Sequence, residues 1–205
     1  MIPPPALPPL FDLAGTAVFA LSGALVAARL RQTFVTMTFF ALVTGVGGGS
    51  LRDALIGQPA FWLHQPWVAA VILAAATLAW FTPKRWWETR LLEWADAIGL
   101  AVFSVLGTAK AIAFGVDPLP AIILGVVSGC MGGIVRDVLA GLPSILMRPE
   151  LYVTAAALGA TLCALGLAFN LPPQPVWAAA AIAAFVLRGA ALVWAIELPA
   201  YSRAG

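Results

Sequence analysis

Charged, proline and glycine residues punctuate the chain at intervals, and between them lie runs of about 17 to 25 mostly apolar positions, the length that carries an α-helix across a bilayer. These runs predict seven spans, at about 10–30, 33–57, 66–82, 91–115, 118–141, 150–169 and 175–197. The connectors are short. The expected fold class is therefore all-α integral membrane, one transmembrane domain over 1–205 with no sizeable soluble part.

Two of the predicted spans break the apolar pattern in the same way. The second contains GVGGGSLRDALIG over 45–57 and the fifth GCMGGIVRDVLAG over 129–141, each a glycine cluster followed by Arg-Asp. Sliding the sequence by 84 residues lays 10–64 on 94–148 without a gap, with 16 of 55 positions identical, a density that marks a duplication. Asp12, Gly15, Phe19 and Gly23 fall on Asp96, Gly99, Phe103 and Gly107. Gly45, Gly48, Gly49, Arg52, Asp53, Gly57 and Pro59 fall on Gly129, Gly132, Gly133, Arg136, Asp137, Gly141 and Pro143. One repeat is three spans (about 10–82, then 91–169), and an odd number of crossings inserts the second copy upside down. The expected architecture is two inverted three-helix repeats plus a seventh helix over 175–197, the plan in which functional sites form between repeats.

Composition strengthens the membrane assignment. The chain is 62% hydrophobic and 10% charged, where a soluble domain carries roughly 25% charged residues, and its mean hydropathy is +0.98. The net charge of +2 and the singly scattered Lys and Arg exclude a nucleic-acid surface. Cys130 and Cys163 stand alone in apolar sequence, without metal or redox spacing, and read as small packing residues. No metal or cofactor motif is present. The opening MIPPPALPPL lacks the charged start and cleavage site of a removable signal and reads as a stiff lead-in to the first span.

Orientation follows from basic residues near span ends. With the N-terminus outside and the C-terminus cytoplasmic, the cytoplasmic segments hold Arg29, Arg31, Lys84, Arg85, Arg90, Arg148 and Arg203, and the external loops hold none. Trp62, Trp67, Trp80, Trp86, Trp87, Trp94, Trp177 and Trp194 fall near predicted ends, where an amphipathic ring prefers the headgroup layer.

Four basic residues remain inside spans: Arg52, Lys110, Arg136 and Arg188. Charge at membrane depth is costly and faces a partner or a water-filled path. Inversion places Arg52, Asp53 and Asp12 toward the outer face and Arg136, Asp137 and Asp96 toward the cytoplasm. Two symmetry-related clusters are thus expected, Asp12 with Arg52 and Asp96 with Arg136, one at each mouth of a central path. They read equally as structural locks or as path residues. Gly47, Gly48, Gly49, Gly132 and Gly133 lie near mid-membrane, with Thr44 and Ser128 beside them. Consecutive glycines weaken a helix by roughly 1 kcal/mol each, so a break or kink is expected there, and freed carbonyls would be cation ligands where they line a cavity. Lys110 stands alone in the sequence and suggests a gate or voltage-sensing charge. Arg188 has no evident partner and reads either as an intersubunit contact or as part of the path. His64, in an external loop, reads as solvated. No nucleophile is paired with a base, so the sequence shows no enzyme machinery. A phosphate loop fails because no GK[ST] follows the glycines.

The duplicated GG-x-x-RD, the seven-span plan and the single lysine in span four resemble the prokaryotic branch of the trimeric intracellular cation (TRIC) channel family, over nearly the whole chain. The resemblance implies a homotrimer in the bacterial inner membrane, with a pore inside each protomer. It implies a preference for potassium with sodium also passing, glycine kinks in spans two and five lining the path, and Lys110 as a gating candidate. Animal members carry a phosphoinositide-binding Lys-Glu-Val after the second-span glycines. This chain has LRDAL over 51–55, so that regulation does not carry over. Some bacterial relatives have been linked to glycine transport. A secondary transporter of a small zwitterion is accordingly the alternative, with arginine for its carboxylate and aspartate for its ammonium, and a scaffold subunit is a third reading.

Overall fold

The computed structural model describes residues 9–83 and 90–199. Lys84, Arg85, Trp86, Trp87 and Arg203, used above for orientation, lie outside the described residues, as does most of the proline-rich start. Among the described residues seven α-helices follow one another: α1 (Pro9–Arg29), α2 (Phe34–Leu55), α3 (Trp67–Phe81), α4 (Leu91–Ala113), α5 (Pro118–Leu139), α6 (Val153–Ala168) and α7 (Pro173–Trp194). Five are long and apolar enough to cross a membrane alone. The shorter pair, α3 and α6, occupies the same place in each repeat, and each is preceded by a 3-10 turn, Phe61–His64 and Ile145–Met147.

Local sequence sets the helix ends. The Thr33 hydroxyl accepts from the Thr36 amide 3.2 Å away and caps α2, while Pro118 opens α5, where its missing N–H is not needed. Gly57 (φ 71°) and Gly141 (φ 65°) end α2 and α5 in the left-handed region. The Gly57 amide bonds Ala54 O and the Gln58 amide bonds Asp53 O, and Gly141 and Leu142 repeat the pattern on Val138 and Asp137. These are Schellman endings, which satisfy the last carbonyls and turn the chain back over the helix.

Within each repeat the helices pack mutually, α1 with α2 and α3, α4 with α5 and α6. The repeats meet through α2 on α5 and α1 on α4, and α7 closes the bundle against α4 and α6. The contacts between repeats are reciprocal. A side chain at Gly15 would meet the Phe103 ring at 2.6 Å, and one at Gly99 would meet the Phe19 ring at 2.9 Å. Residues 15 and 99, like 19 and 103, are 84 apart, and the two rings meet at a tilt of 36° with centroids 5.6 Å apart. Such exchange is the mark of a pseudo-twofold axis between inverted repeats. Large apolar side chains such as Val35, Phe39, Leu73, Leu78, Phe81, Leu119 and Ile123 are exposed on the outside, as lipid-facing positions require.

The glycine clusters do not break their helices. Both α2 and α5 remain helical through 47–49 and 132–133, so the expectation of carbonyls freed by a break is not met. The glycines serve close approach instead. A side chain at Gly48 would lie 2.2 Å from the Ser128 carbonyl oxygen, and those at Gly49 and Gly132 would strike the Phe61 and Phe19 rings at 2.5 and 3.0 Å. Gly48 thus lets α2 cross α5 almost backbone to backbone.

Candidate functional site: two buried charge clusters

The cluster at the C-terminal end of α2 is built by the turn after it. Arg52 Nε donates to Asp53 Oδ1 at 2.8 Å, and Arg52 Nη1 reaches Asp12 Oδ1, at the start of α1, at 3.1 Å. Because the Gly57 turn folds the chain back, the Phe61 amide donates to Asp53 Oδ2 at 2.8 Å. Arg52 and Asp53 are fully buried, and the guanidinium also lies 5.8 Å from the centroid of the Phe61 ring.

The second repeat reproduces this bond for bond. Arg136 Nε donates to Asp137 Oδ1 at 2.9 Å, Arg136 Nη1 to Asp96 Oδ1 at 2.6 Å, and the Ile145 amide to Asp137 Oδ2 at 2.9 Å. Every member stands 84 residues beyond its counterpart. Buried ions on this scale persist only when the opposite charges and remaining hydrogen bonds are supplied together.

Three side chains depart from the symmetry, and two of them, Lys110 and Arg188, change the sequence reading. Lys110, near the end of α4, is not alone: its Nζ donates to Asp53 Oδ1 at 2.8 Å, joining the second repeat to the cluster of the first. Its repeat counterpart is Val26, buried and apolar. Ser22 Oγ, within 3.4 Å of Arg136 Nη1, joins the second cluster from α1. Arg188 also has a partner, since its Nη2 lies 2.6 Å from Glu150 Oε2 and its guanidinium sits 5.2 Å from the centroid of the Tyr152 ring. Glu150 belongs to the loop between α5 and α6, so Arg188 is tied within the chain. Sequence reading missed Glu150 because the contact joins residues 38 apart with no counterpart in the first repeat. It also missed the Phe61 and Ile145 amides, although the duplicated Gly57-x-Pro59 and Gly141-x-Pro143 signalled a shared turn.

The mid-helix residues lie apart from the charges, except Gly133, which borders Asp96. Thr44 and Ser128, equivalent in the repeats, are fully buried, and Ser128 Oγ is 3.4 Å from the Gly48 carbonyl across the α2–α5 crossing. Gly47 is the roomiest of the triplet, its nearest neighbour to an added side chain being Val135 at 3.8 Å. Gly133 sits between the Tyr152 hydroxyl and Asp96. Cys130 and Cys163 are both buried and free, and His64 is exposed in its 3-10 turn.

A profile of the family described as glycine transporter matches the chain twice, over residues 9–84 and 93–168, with both boundaries displaced by 84 residues. A UPF0126 membrane protein of Vibrio cholerae is 38% identical over 199 residues, covering 94% of this chain and 82% of that protein. The UPF0126 inner membrane protein YadS of Escherichia coli K12 is 36% identical over 195 residues, covering 93% and 94%. Among solved structures, the TRIC trimeric intracellular cation channel orthologue from Rhodobacter sphaeroides is 38% identical with a TM-score of 0.84, covering 91% of this chain and 97% of that one. A prokaryotic TRIC channel solved in 0.5 M KCl shares the fold at 22% identity, with a TM-score of 0.84 and coverage of 92% and 97%. The chain therefore belongs to the glycine-transporter family of membrane proteins and has the inverted-repeat, seven-helix fold of the TRIC channels.

Proposed function

We propose that the chain is a cation channel, permeable to potassium and also to sodium, whose path runs inside the protomer between the two repeats. The observation that carries this reading is the match, over nearly the full length of both chains, to a TRIC channel orthologue 38% identical in sequence. Its name describes a trimer, and a homotrimer in a bacterial inner membrane is the assembly proposed here.

On this reading Gly47, Gly48, Gly49, Gly132 and Gly133, with Thr44 and Ser128, form the narrow middle. The α2–α5 crossing is too close there for an ion to pass between the two backbones, so conduction needs either a path beside the crossing or its separation. The clusters of Asp12, Arg52, Asp53 and of Asp96, Arg136, Asp137 stand at the two mouths, the first outside and the second inside. Fixed arginines would repel a cation in a low-dielectric passage, and the adjoining carboxylates cancel that repulsion. Lys110 is the mobile part. Its ammonium holds α4 to α2 by one ion pair that is partly open to solvent, and release of that pair opens the outer mouth.

Planar-bilayer recording in a potassium gradient tests the reading, with Lys110→Gln alongside. Unitary currents reversing near the potassium potential are expected, with a higher open probability in the variant. Unchanged open probability and voltage dependence in the variant would sink the gating role.

The family's description favours one second reading, a secondary transporter of glycine. Liposomes that take up labelled glycine with saturation, from a preparation silent in bilayers, would select it, and each Arg–Asp pair would become a substrate clamp.

A further inference from the structure

The loops before α3 and α6 are equivalent in the repeats, but the second carries a contact that the first lacks among the described residues. Beyond α7, Ala195 takes a left-handed turn (φ 50°), a conformation that costs any residue with a Cβ, and the chain after it runs back along the α5–α6 loop. There Glu197 stands opposite Glu150 in an isolated antiparallel bridge, and the Leu198 amide donates to the Pro149 carbonyl at 2.7 Å. In the first repeat Pro66 and Val68 occupy the places of Glu150 and Tyr152.

The loop held in this way completes the second charge cluster. The Ile145 amide donates to Asp137 Oδ2, and the Tyr152 hydroxyl is a hydrogen-bond partner of the Asp96 carboxylate, the two groups meeting where Gly133 leaves room. Glu150 joins the loop to α7, because its carboxylate accepts from Arg188 Nη2 at 2.6 Å and the Arg188 guanidinium lies 5.2 Å from the centroid of the Tyr152 ring. One run of contacts therefore leads from the tail through the loop to both carboxylates of the cluster. Its deep end is closed to solvent, with Tyr152 and Arg188 each 1% exposed, whereas Ile196 and Leu198 at its other end are 40% and 48% exposed.

The tail is held far more weakly than the network it touches. Its hydrogen bond is at the surface, where water competes for both groups. The bridge sets two glutamates directly opposite each other, where like charges destabilise, and of the two Glu150 is offset by Arg188 and Arg148. The turn at Ala195 adds its own cost. A segment docked on those terms releases at little expense, while the buried contacts beneath it stay formed only as long as the loop is held down. We propose that residues 195–199 are a strap over the second cluster: docked, they hold the α5–α6 loop, keep Tyr152 on Asp96 and keep that mouth closed, and released, they let the loop lift and the mouth open. Tyr152 is the positioning residue through which the strap acts. The proposal rests on the cation-channel reading and names a regulation of its path.

Leu198→Pro tests the strap, because proline removes the amide that donates to Pro149 and keeps an apolar side chain, whereas Leu198→Ala keeps the amide. Both variants are made in the full chain and read in two ways. Hydrogen exchange over residues 142–152 in detergent needs no current. It should quicken several-fold in Leu198→Pro, about the factor that one lost hydrogen bond supplies, and stay at the parent rate in Leu198→Ala. Potassium currents in planar bilayers should show a several-fold higher open probability in Leu198→Pro alone. Tyr152→Phe keeps the ring beside Arg188 and loses the hydroxyl on Asp96, so in that background Leu198→Pro should add nothing. Equal exchange in the two Leu198 variants overturns the strap. Quickened exchange with an unchanged open probability overturns its control of the mouth, and additivity with Tyr152→Phe overturns the route through Asp96. Quickened exchange in a chain that passes no current in any variant keeps the strap on its loop and removes the channel reading, whereas currents with equal exchange do the reverse.

Discussion

At the scale of single residues, neighbouring glycines of one cluster have different duties. Gly48 packs on the Ser128 carbonyl with no room for a methyl group, while a methyl group at Gly47 would meet Val135 at an ordinary 3.8 Å contact. Gly48→Ala should therefore destabilise by about 1–3 kcal/mol through overpacking, and Gly47→Ala should be neutral or stabilising by up to ~1 kcal/mol through helix propensity. Thermal unfolding of the two variants side by side checks this, and equal effects would refute the close crossing. Asp53 carries more than any other carboxylate here, accepting from Arg52, Lys110 and the Phe61 amide. Removing Asp12 by Asp12→Ala strips Arg52 of its partner from α1, at a cost of about 3–5 kcal/mol if the guanidinium stays buried. The charge-exchanged pair Asp12→Arg with Arg52→Asp should recover part of that loss, and a double variant no better than either single one would argue against the coupling.

At the scale of elements, α7 is held to the second repeat by one asymmetric ion pair. Arg188 is almost fully buried, whereas the Glu150 side chain is 24% exposed. The two deletions should therefore differ. Glu150→Ala leaves a guanidinium buried with no carboxylate and should cost about 3–5 kcal/mol, while Arg188→Leu leaves a carboxylate that solvent reaches and should cost less. Hydrogen exchange along α7 measures the difference, and a larger loss of protection in Arg188→Leu would overturn it. The elements themselves were legible in sequence because bilayer-length apolar runs and glycine or proline stops are local signals: all seven helices lie at the predicted places, within a few residues. The pairing of Arg52 with Asp12 and of Arg136 with Asp96 was legible for another reason, since duplication doubled the signal. What sequence could not give were features present in one repeat only. Lys110 reaches Asp53 on another helix, and Arg188 reaches a loop glutamate, and neither contact has a periodicity to betray it. The glycines misled because weak helix propensity, a property of an isolated helix in water, is overridden where Gly48, Gly49, Gly132 and Gly133 pack closely on neighbouring elements.

At the scale of the whole molecule, duplication and inversion make the two faces chemically alike inside the bundle, so the fold alone does not say which face is outside. The difference lies in the loops. Basic residues gather in the connectors after α1 and between α5 and α6 and near the start of α4, whereas the α2–α3, α4–α5 and α6–α7 connectors carry none. The energetic reluctance of Lys and Arg flanks to cross the membrane is the argument for the proposed orientation, with the N-terminus outside. Cysteine labelling in intact cells can read this directly, because Cys130 and Cys163 are buried and free and a membrane-impermeant thiol reagent should leave them untouched. A cysteine at Gln58 or Asn170, each in a connector on the proposed outer side, should react from outside. One at Gln32, in the connector after α1, should react only after the cells are opened. The reversed pattern would invert the assignment of both mouths, placing the Lys110–Asp53 pair on the cytoplasmic side. The ion pairs of the clusters would survive that reversal, but the direction in which voltage would act on Lys110 under the proposed gating role would change sign. Labelling therefore has to precede any interpretation of the polarity of gating.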